Sequence, residues 1–265
     1  MGTLVHIAVR GPAQAGVDRA IDAAFAAIEQ VERLMSFHSP DSELSRLNRS
    51  GSIRPQKVHA WTYAVLRRAV RIAALSDGLF DIAVAPVLVE AGLLPHPPAP
   101  PPSSGTWRDL TLLADSTVVF RRPLLLDLGG IAKGFAVDQA VHALRRGGCT
   151  DAVVNAGGDL RRFGSEPQVI HLRCAAGLVP FAQLRCGAIA TSEPNEPRPE
   201  RIAQPLGCIV DPRARRPWRG AGSVTVAARS CLLADALTKV AALAGPGCQP
   251  LLSRFGAQAR WDPAK

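Results

Sequence analysis

The residues best suited to chemistry are concentrated in LLLDLGGIAKGFAVD, residues 124–138. The apolar run predicts a buried strand, two glycines follow it, and a helix is expected from Ile131. Glycine lets backbone approach a ligand closely, and a helix start offers N–H groups and partial positive charge to an anion. Lys133 would add a formal charge at the same point, although the spacing is not the Walker pattern. Two readings stand: a phosphate site over Gly129-Gly130, or a tight strand-to-helix turn with a solvated lysine. Asp127, at the strand's end, is either a ligand contact or a carboxylate capping the helix. Asn155, Gly157 and Gly158 in DAVVNAGGDLRRFG offer a second close backbone approach, or only a Gly-Gly hairpin.

Those segments must be held by the elements around them. Alternation over Thr3–Arg10 predicts a strand. An apolar stripe of Val17, Ile21, Phe25, Ile28, Val31 and Met35 then predicts a helix ending near Ser36. A second helix is expected over Ala60–Leu75, stopping at Asp77-Gly78. PHPPAPPPSSG, 95–105, is rich in prolines that lack donors and fix φ, so it reads as an exposed connector inside one domain of 1–265. Further strands are expected at Leu110–Leu113, Val118–Phe120, Leu124–Leu128, Asp151–Asn155, Val169–Cys174, Phe181–Leu184 and Ser223–Ala227, with helices over Ile131–Arg146 and Cys231–Ala244. Hairpin-like strands flanked by separate helices predict an α+β fold with mixed, largely antiparallel sheets.

Composition narrows the function classes. The 265 residues suffice for a large core, and no apolar run approaches the roughly eighteen residues that cross a bilayer. The opening MGTLVHIAVR has neither a cationic n-region nor a cleavage site, which gives the expectation of a cytoplasmic protein; were an export signal to lie upstream of it, the protein would instead be periplasmic or anchored. Six cysteines without CxxC spacing argue against a zinc site or a disulfide framework. Net charge is +9, yet only four of the 31 basic residues are lysine, and no aromatic-interleaved basic stripe suggests nucleic-acid binding.

Seven segments in order resemble the successive blocks of the FAD:protein FMN transferase (ApbE-like) family. They are MSFHSPDSELSRLN (35–48), DGLFDIAVAPVLVEAGL (77–93), DLGGIAKGFAVD (127–138), NAGGDL (155–160), AIATS (188–192), IVDPRARRP (209–217) and SVTVAARSCLLADALTK (223–239). The resemblance spans nearly the whole chain. It implies an ApbE-like fold, binding of FAD and magnesium, and transfer of the FMN moiety to a threonine hydroxyl of a target protein with release of AMP. It also implies flavin contacts at Met1, at His38, over Ala83, Val84 and Ala85, and at Asp127, Lys133 and Ile209, beside the cofactor contact already read at Gly129. Magnesium would be held by the carbonyl of Gly130, by Asp235 and by a threonine four residues on.

That last position is Lys239 in this chain. An ammonium has three donors and no lone pair, so it cannot ligate a hard cation. Either Lys239 stands in the metal's place and neutralises the diphosphate with Asp235, or the two are an ordinary i,i+4 helical pair worth roughly 0.3–0.5 kcal/mol. A second departure is Cys208, where the family has a histidine suited to general-base work. A cysteine serves there only with a depressed pKa; otherwise it is a structural thiol. The family's TSGDYE block is TSEPNE here, 191–196. Transfer therefore competes with two alternatives on the same fold: a non-catalytic FAD-binding protein, and hydrolysis of FAD to FMN and AMP.

Overall fold

The structure, a computed structural model, describes residues 3–10, 16–97, 105–174, 177–193, 209–220 and 222–263. Met1, Cys208, residues 98–104 of the Pro-rich stretch and 194–196 of the TSEPNE block therefore lie outside the described residues.

The main sheet is built from β1 (Val5–Val9), β5 (Ala152–Ala156), β6 (Asp159–Phe163), β9 (Gly187–Ser192), β12 (Ser223–Ala228) and β13 (Gln258–Asp262), in that spatial order. A small second sheet runs β2 (Gln56–Lys57), β4 (Thr117–Phe120), β3 (Leu110–Leu113), and two hairpins stand apart: β7 (Gln168–Cys174) with β8 (Gly177–Leu184), and β10 (Val210–Asp211) with β11 (Arg216–Pro217). Every ladder among the described residues is antiparallel, so the α+β expectation holds. The helices are α1 (Val17–Met35), α2 (Glu43–Ser50), α3 (Ala60–Leu75), α4 (Ala85–Glu90), α5 (Ala132–Arg146), α6 (Cys231–Ala244) and α7 (Gln249–Ser253). No helix among the described residues is long and apolar enough to cross a membrane.

Helices α5 and α6 lie against the main sheet and against each other, and α1 covers α5. Small residues set these distances. A Cβ on Gly134 would stand 2.2 Å from the carbonyl oxygen of Cys231, so only glycine lets α5 approach the start of α6 this closely. A Cβ on Gly147 would stand 2.4 Å from that of Ala20, which brings α1 down on its alanines. The expected stripe is rotated accordingly: Ala20 and Ala24 are buried with Ile28, Val31 and Met35, whereas Phe25 is left 40% exposed. One large core draws side chains from both sides of residues 98–104, from Ala20 through Phe80 to Leu237 and Ala257.

Residues 124–128 are a correction. Their side chains at 124–126 and 128 are buried as expected, but no strand forms there. The segment is extended and its backbone is satisfied by a side chain instead of a ladder: Asn48 on α2 donates to the carbonyl of Leu126 and accepts its N–H, both at 2.9 Å. The Asp127 N–H donates to the carbonyl of Ile82 at 2.8 Å. Buried backbone groups must be paired by something, and here one amide does what a neighbouring strand would do. Helix α2 and helix α4 went unpredicted because both are short, and α4 is apolar on nearly every residue, which leaves no periodicity to read.

Candidate functional site

A cleft opens where four separated segments meet: the 79–84 stretch before α4, the turn at Asp127–Gly130, the β10–β11 hairpin, and the middle of α6. Val84, Asp127, Gly130 and Lys239 all line it, joined by Asp81 and Val210. Each wall has its own local cause.

The Asp127 wall is a turn, not a helix cap. Its Oδ2 accepts the Gly129 N–H at 3.1 Å, while the residue preceding the first turn of α5 is Ile131, which makes no side-chain cap. Asp127 thus folds the backbone back through Gly129 and stays half-buried at the cleft. Desolvation raises its carboxyl above the ordinary range, offset in part by the Gly129 N–H, by His38 and by Lys239. His38 itself is exposed and does not line the cleft, though its charge reaches Asp127.

The expectation of free N–H groups at the start of α5 is corrected at one point. The Gly134 N–H is already engaged, donating to Asp235 Oδ2 at 3.0 Å. Asp235, fully buried on α6, satisfies this donor with one oxygen and faces two ammoniums with the other: Lys239 Nζ at 2.5 Å and Lys133 Nζ at 3.9 Å. Lys239 also donates to the Asp235 carbonyl at 3.0 Å, and its Cε lies 3.4 Å from where a Gly130 Cβ would be. The lysine stem thus lies over the turn within van der Waals reach of Gly130.

Lys133 is not a solvated lysine. Its Nζ is bonded to Asp159, and the side chain is one-third exposed. Burial opposes its charge, but Asp235 and Asp159 outweigh that and hold the ammonium's pKa above its usual value. Two ammoniums and two carboxylates thus form one compact cluster. Burial would raise Asp235, yet Lys133 and Lys239 outweigh it and keep the carboxyl low; Asp159 goes the other way, raised by burial and by the neighbouring Asp235. Asp235 and Lys239 are therefore not a surface i,i+4 pair, because the carboxylate is wholly withdrawn from water.

Asp159 was legible in NAGGDL but hidden by the hairpin reading. That hairpin exists: Gly157 and Gly158 take positive φ, +64° and +101°, and Ala156 pairs with Asp159 across the turn. Its consequence is that β6 begins with a carboxylate aimed at α5. Asp138, one turn beyond Phe135 on α5, was also missed. It accepts the N–H groups of Cys231 and Leu232 at 2.9 and 3.0 Å and pairs with Arg161 at 2.6 Å, so it caps α6 from a neighbouring helix.

Asp81 is a third omission. Its carboxylate accepts the Ala83 N–H at 2.8 Å and the Trp107 N–H at 3.1 Å, tying the cleft wall to the chain beyond the Pro-rich stretch. Burial raises its pKa to about 6 against those bonds and the nearby Arg215 and Arg108. Ala83 and Ala85 are buried and support the wall from within, while Val84 faces the cleft. Ile209 is buried, and its carbonyl accepts the Trp218 N–H at 2.8 Å, closing the base of the β10–β11 hairpin.

With this arrangement described, likeness to other proteins becomes informative. A sequence model of the ApbE family matches residues 1–259. The chain belongs to the ApbE family. Its relatives include the FAD:protein FMN transferase of Rhodobacter capsulatus, 30% identical over 92% of this chain and 50% of that protein. Another is the FAD:protein FMN transferase of Vibrio cholerae, 31% identical over 79% of this chain and 69% of that protein. The chain thus spans half the length of the first relative. Among solved ApbE structures, the ApbE protein of Thermotoga maritima superposes with a TM-score of 0.81 at 25% identity, covering 100% of this chain and 94% of that one. The flavin transferase ApbE of Vibrio cholerae gives 0.80 at 26% identity, covering 98% and 90%. The ApbE fold expected from the seven blocks is thereby shown.

Proposed function

We propose that this chain is an FAD:protein FMN transferase, moving the FMN moiety of FAD to a threonine hydroxyl of a target protein and releasing AMP. The observation that carries the reading is the convergence of Val84, Asp127, Gly130 and Lys239, from distant family blocks, on one cleft. The relatives bear that activity in their names, which favours transfer over a flavin-holding protein or an FAD hydrolase.

In this reading Ala83–Ala85, Asp127, Gly129 and Ile209 frame the flavin, with His38 contributing at its edge; the contact at Met1 is carried from the family resemblance alone. Lys239 and Lys133 present positive charge to the diphosphate. The acceptor hydroxyl attacks the FMN-side phosphorus and gives its proton to solvent, the bond to the AMP oxygen breaks, and AMP leaves with the electron pair. Positioning and neutralisation of charge supply most of the acceleration, as in phosphoryl transfer generally. Cys208 is carried as the residue at the base position. Replacing it with histidine is expected to raise the rate of AMP release at neutral pH.

The residues present do not fit a magnesium ion. Asp235 has given one oxygen to a backbone N–H and the other to Lys239, and the lysine stem lies over Gly130. An ammonium supplies the positive charge there without oxygen ligands. The reading is therefore that Lys239 takes the metal's role toward the diphosphate and that FAD binding survives EDTA.

The deciding experiment incubates purified protein with FAD and a threonine-bearing target, following AMP by chromatography and covalent flavin by in-gel fluorescence. AMP and protein-bound FMN in equal amounts are expected. Stoichiometric flavin without AMP would support a carrier, and AMP with free FMN would support hydrolysis.

A further inference from the structure

The β10–β11 hairpin walls the cleft through Val210 and Pro212, and beyond the cleft it carries an unusual load of charge. Arg213, Arg215, Arg216 and Arg219 are all exposed within seven residues, and Arg108 stands exposed beside them from the other wall. The two walls are joined at Asp77, which pairs with Arg213 at 2.9 Å and with Arg108 at 3.7 Å. Arg215, Arg216 and Arg219 have no carboxylate within ion-pair distance among the described residues. Arg215 lies near enough to influence Asp81 in the cleft.

This rim is held rather than trailing. Asp211 Oδ1 accepts the N–H groups of Arg213 and Ala214 at 2.9 and 3.0 Å, and Arg215 takes φ 49°, so the tip is a defined turn. Trp218 packs against the core and bonds to Ile209 at the base. Arg108 is stacked over the Trp107 ring at 4.6 Å, and Trp107 is anchored by Asp81. Like charges crowded on a rigid rim repel one another, and a partner bearing carboxylates relieves that repulsion while an unlike one gains nothing.

We infer that the arginine rim formed by Arg108 and the β10–β11 hairpin is the docking surface for an acidic segment of the acceptor protein. The inference rests on the transferase reading, in which the acceptor hydroxyl must enter the cleft past this rim. Its occupant is an acidic polypeptide, with aspartate or glutamate flanking the acceptor threonine. Guanidinium groups suit that role because they pair carboxylates in bidentate geometry.

The test compares two fluorescein-labelled peptides of equal length, each with one threonine, one flanked by aspartate and glutamate and the other by serine and asparagine. Anisotropy measures their binding to the FAD-loaded full chain, as wild type and as the Arg216→Glu/Arg219→Glu variant. The acidic peptide is expected to bind about tenfold more tightly to wild type, a difference of about 1.4 kcal/mol carried by exposed ion pairs. The gap should close in the variant and in high salt, with FAD affinity by calorimetry unchanged. Equal binding of both peptides to wild type overturns the inference. So does a loss of FAD affinity in the variant, which would give the arginines to the dinucleotide. Tighter binding of random duplex DNA or phosphatidylglycerol vesicles than of the acidic peptide, abolished in the variant, also overturns it. The transferase reading fails separately, if neither peptide releases AMP while the acidic one still binds more tightly.

Discussion

Lys239 Nζ lies 2.5 Å from Oδ1 of Asp235, one turn earlier on α6, and the carboxylate it meets is fully buried. A charge-assisted bond of this kind is worth about 1.5–3 kcal/mol, and a buried carboxylate stripped of its partner costs more. Lys239→Thr is therefore expected to weaken FAD binding in EDTA by about ten- to a hundredfold, and added magnesium should recover part of the loss. Wild type should bind FAD alike with EDTA or magnesium. Calorimetry under both conditions decides it, and a strict metal requirement in wild type would refute the ammonium's role.

Asp81 makes a prediction whose sign follows from linkage. Its folded pKa of about 6 lies above the ordinary 3.8, so between those values the native state holds more proton than the unfolded chain. Its contribution to stability consequently falls as pH rises through that window, by about 3 kcal/mol at most. Asp81→Asn should remove this part of the slope, seen as a flatter plot of urea midpoint against pH. Parallel slopes in the two proteins would mean that the carboxylate titrates elsewhere.

Asn48 substitutes for a strand partner at Leu126 through two bonds of 2.9 Å. Asn48→Ala leaves a donor and an acceptor unpaired in a largely buried segment, at a cost of about 2 kcal/mol. Because Asp127 is the next residue, FAD affinity should fall together with the denaturation midpoint. A variant of unchanged affinity would separate the segment's folding from the site's geometry.

Asp138 joins α5 to α6 by accepting two backbone N–H groups and the Arg161 guanidinium. Removing it leaves the Cys231 and Leu232 N–H groups and a partly buried guanidinium without their acceptor, although Ser230 still caps Leu233, so Asp138→Ala is expected to lose about 2–4 kcal/mol. Asp138→Asn, which retains an acceptor oxygen, should lose clearly less. Thermal melts of the pair provide the comparison.

Gly134→Ala probes the closest helix contact. A methyl group there would meet the Cys231 carbonyl at 2.2 Å, a backbone atom that cannot swing away. The helices must separate, at about 1–3 kcal/mol as overpacking usually costs. Since Asp235 and Lys133 sit on those two helices, FAD binding should weaken as well; a variant as stable as wild type would contradict the packing described.

What the residues alone determined was local and periodic. The helices at 17–35, 60–75 and 231–244 follow from apolar spacing, and the Gly157-Gly158 hairpin follows from residues that tolerate positive φ. The glycine turn at 129–130 and its two lysines could also be picked out, because chemistry-bearing residue types stood at telling places. Tertiary structure alone decided what each charge meets. Lys133 faces Asp159 from 26 residues away, Asp127 folds a turn instead of capping α5, and Asn48 reaches Leu126 across 78 residues. Such partnerships depend on how elements stack, and stacking depends on volumes such as Gly134 against Cys231, which no one-dimensional period records.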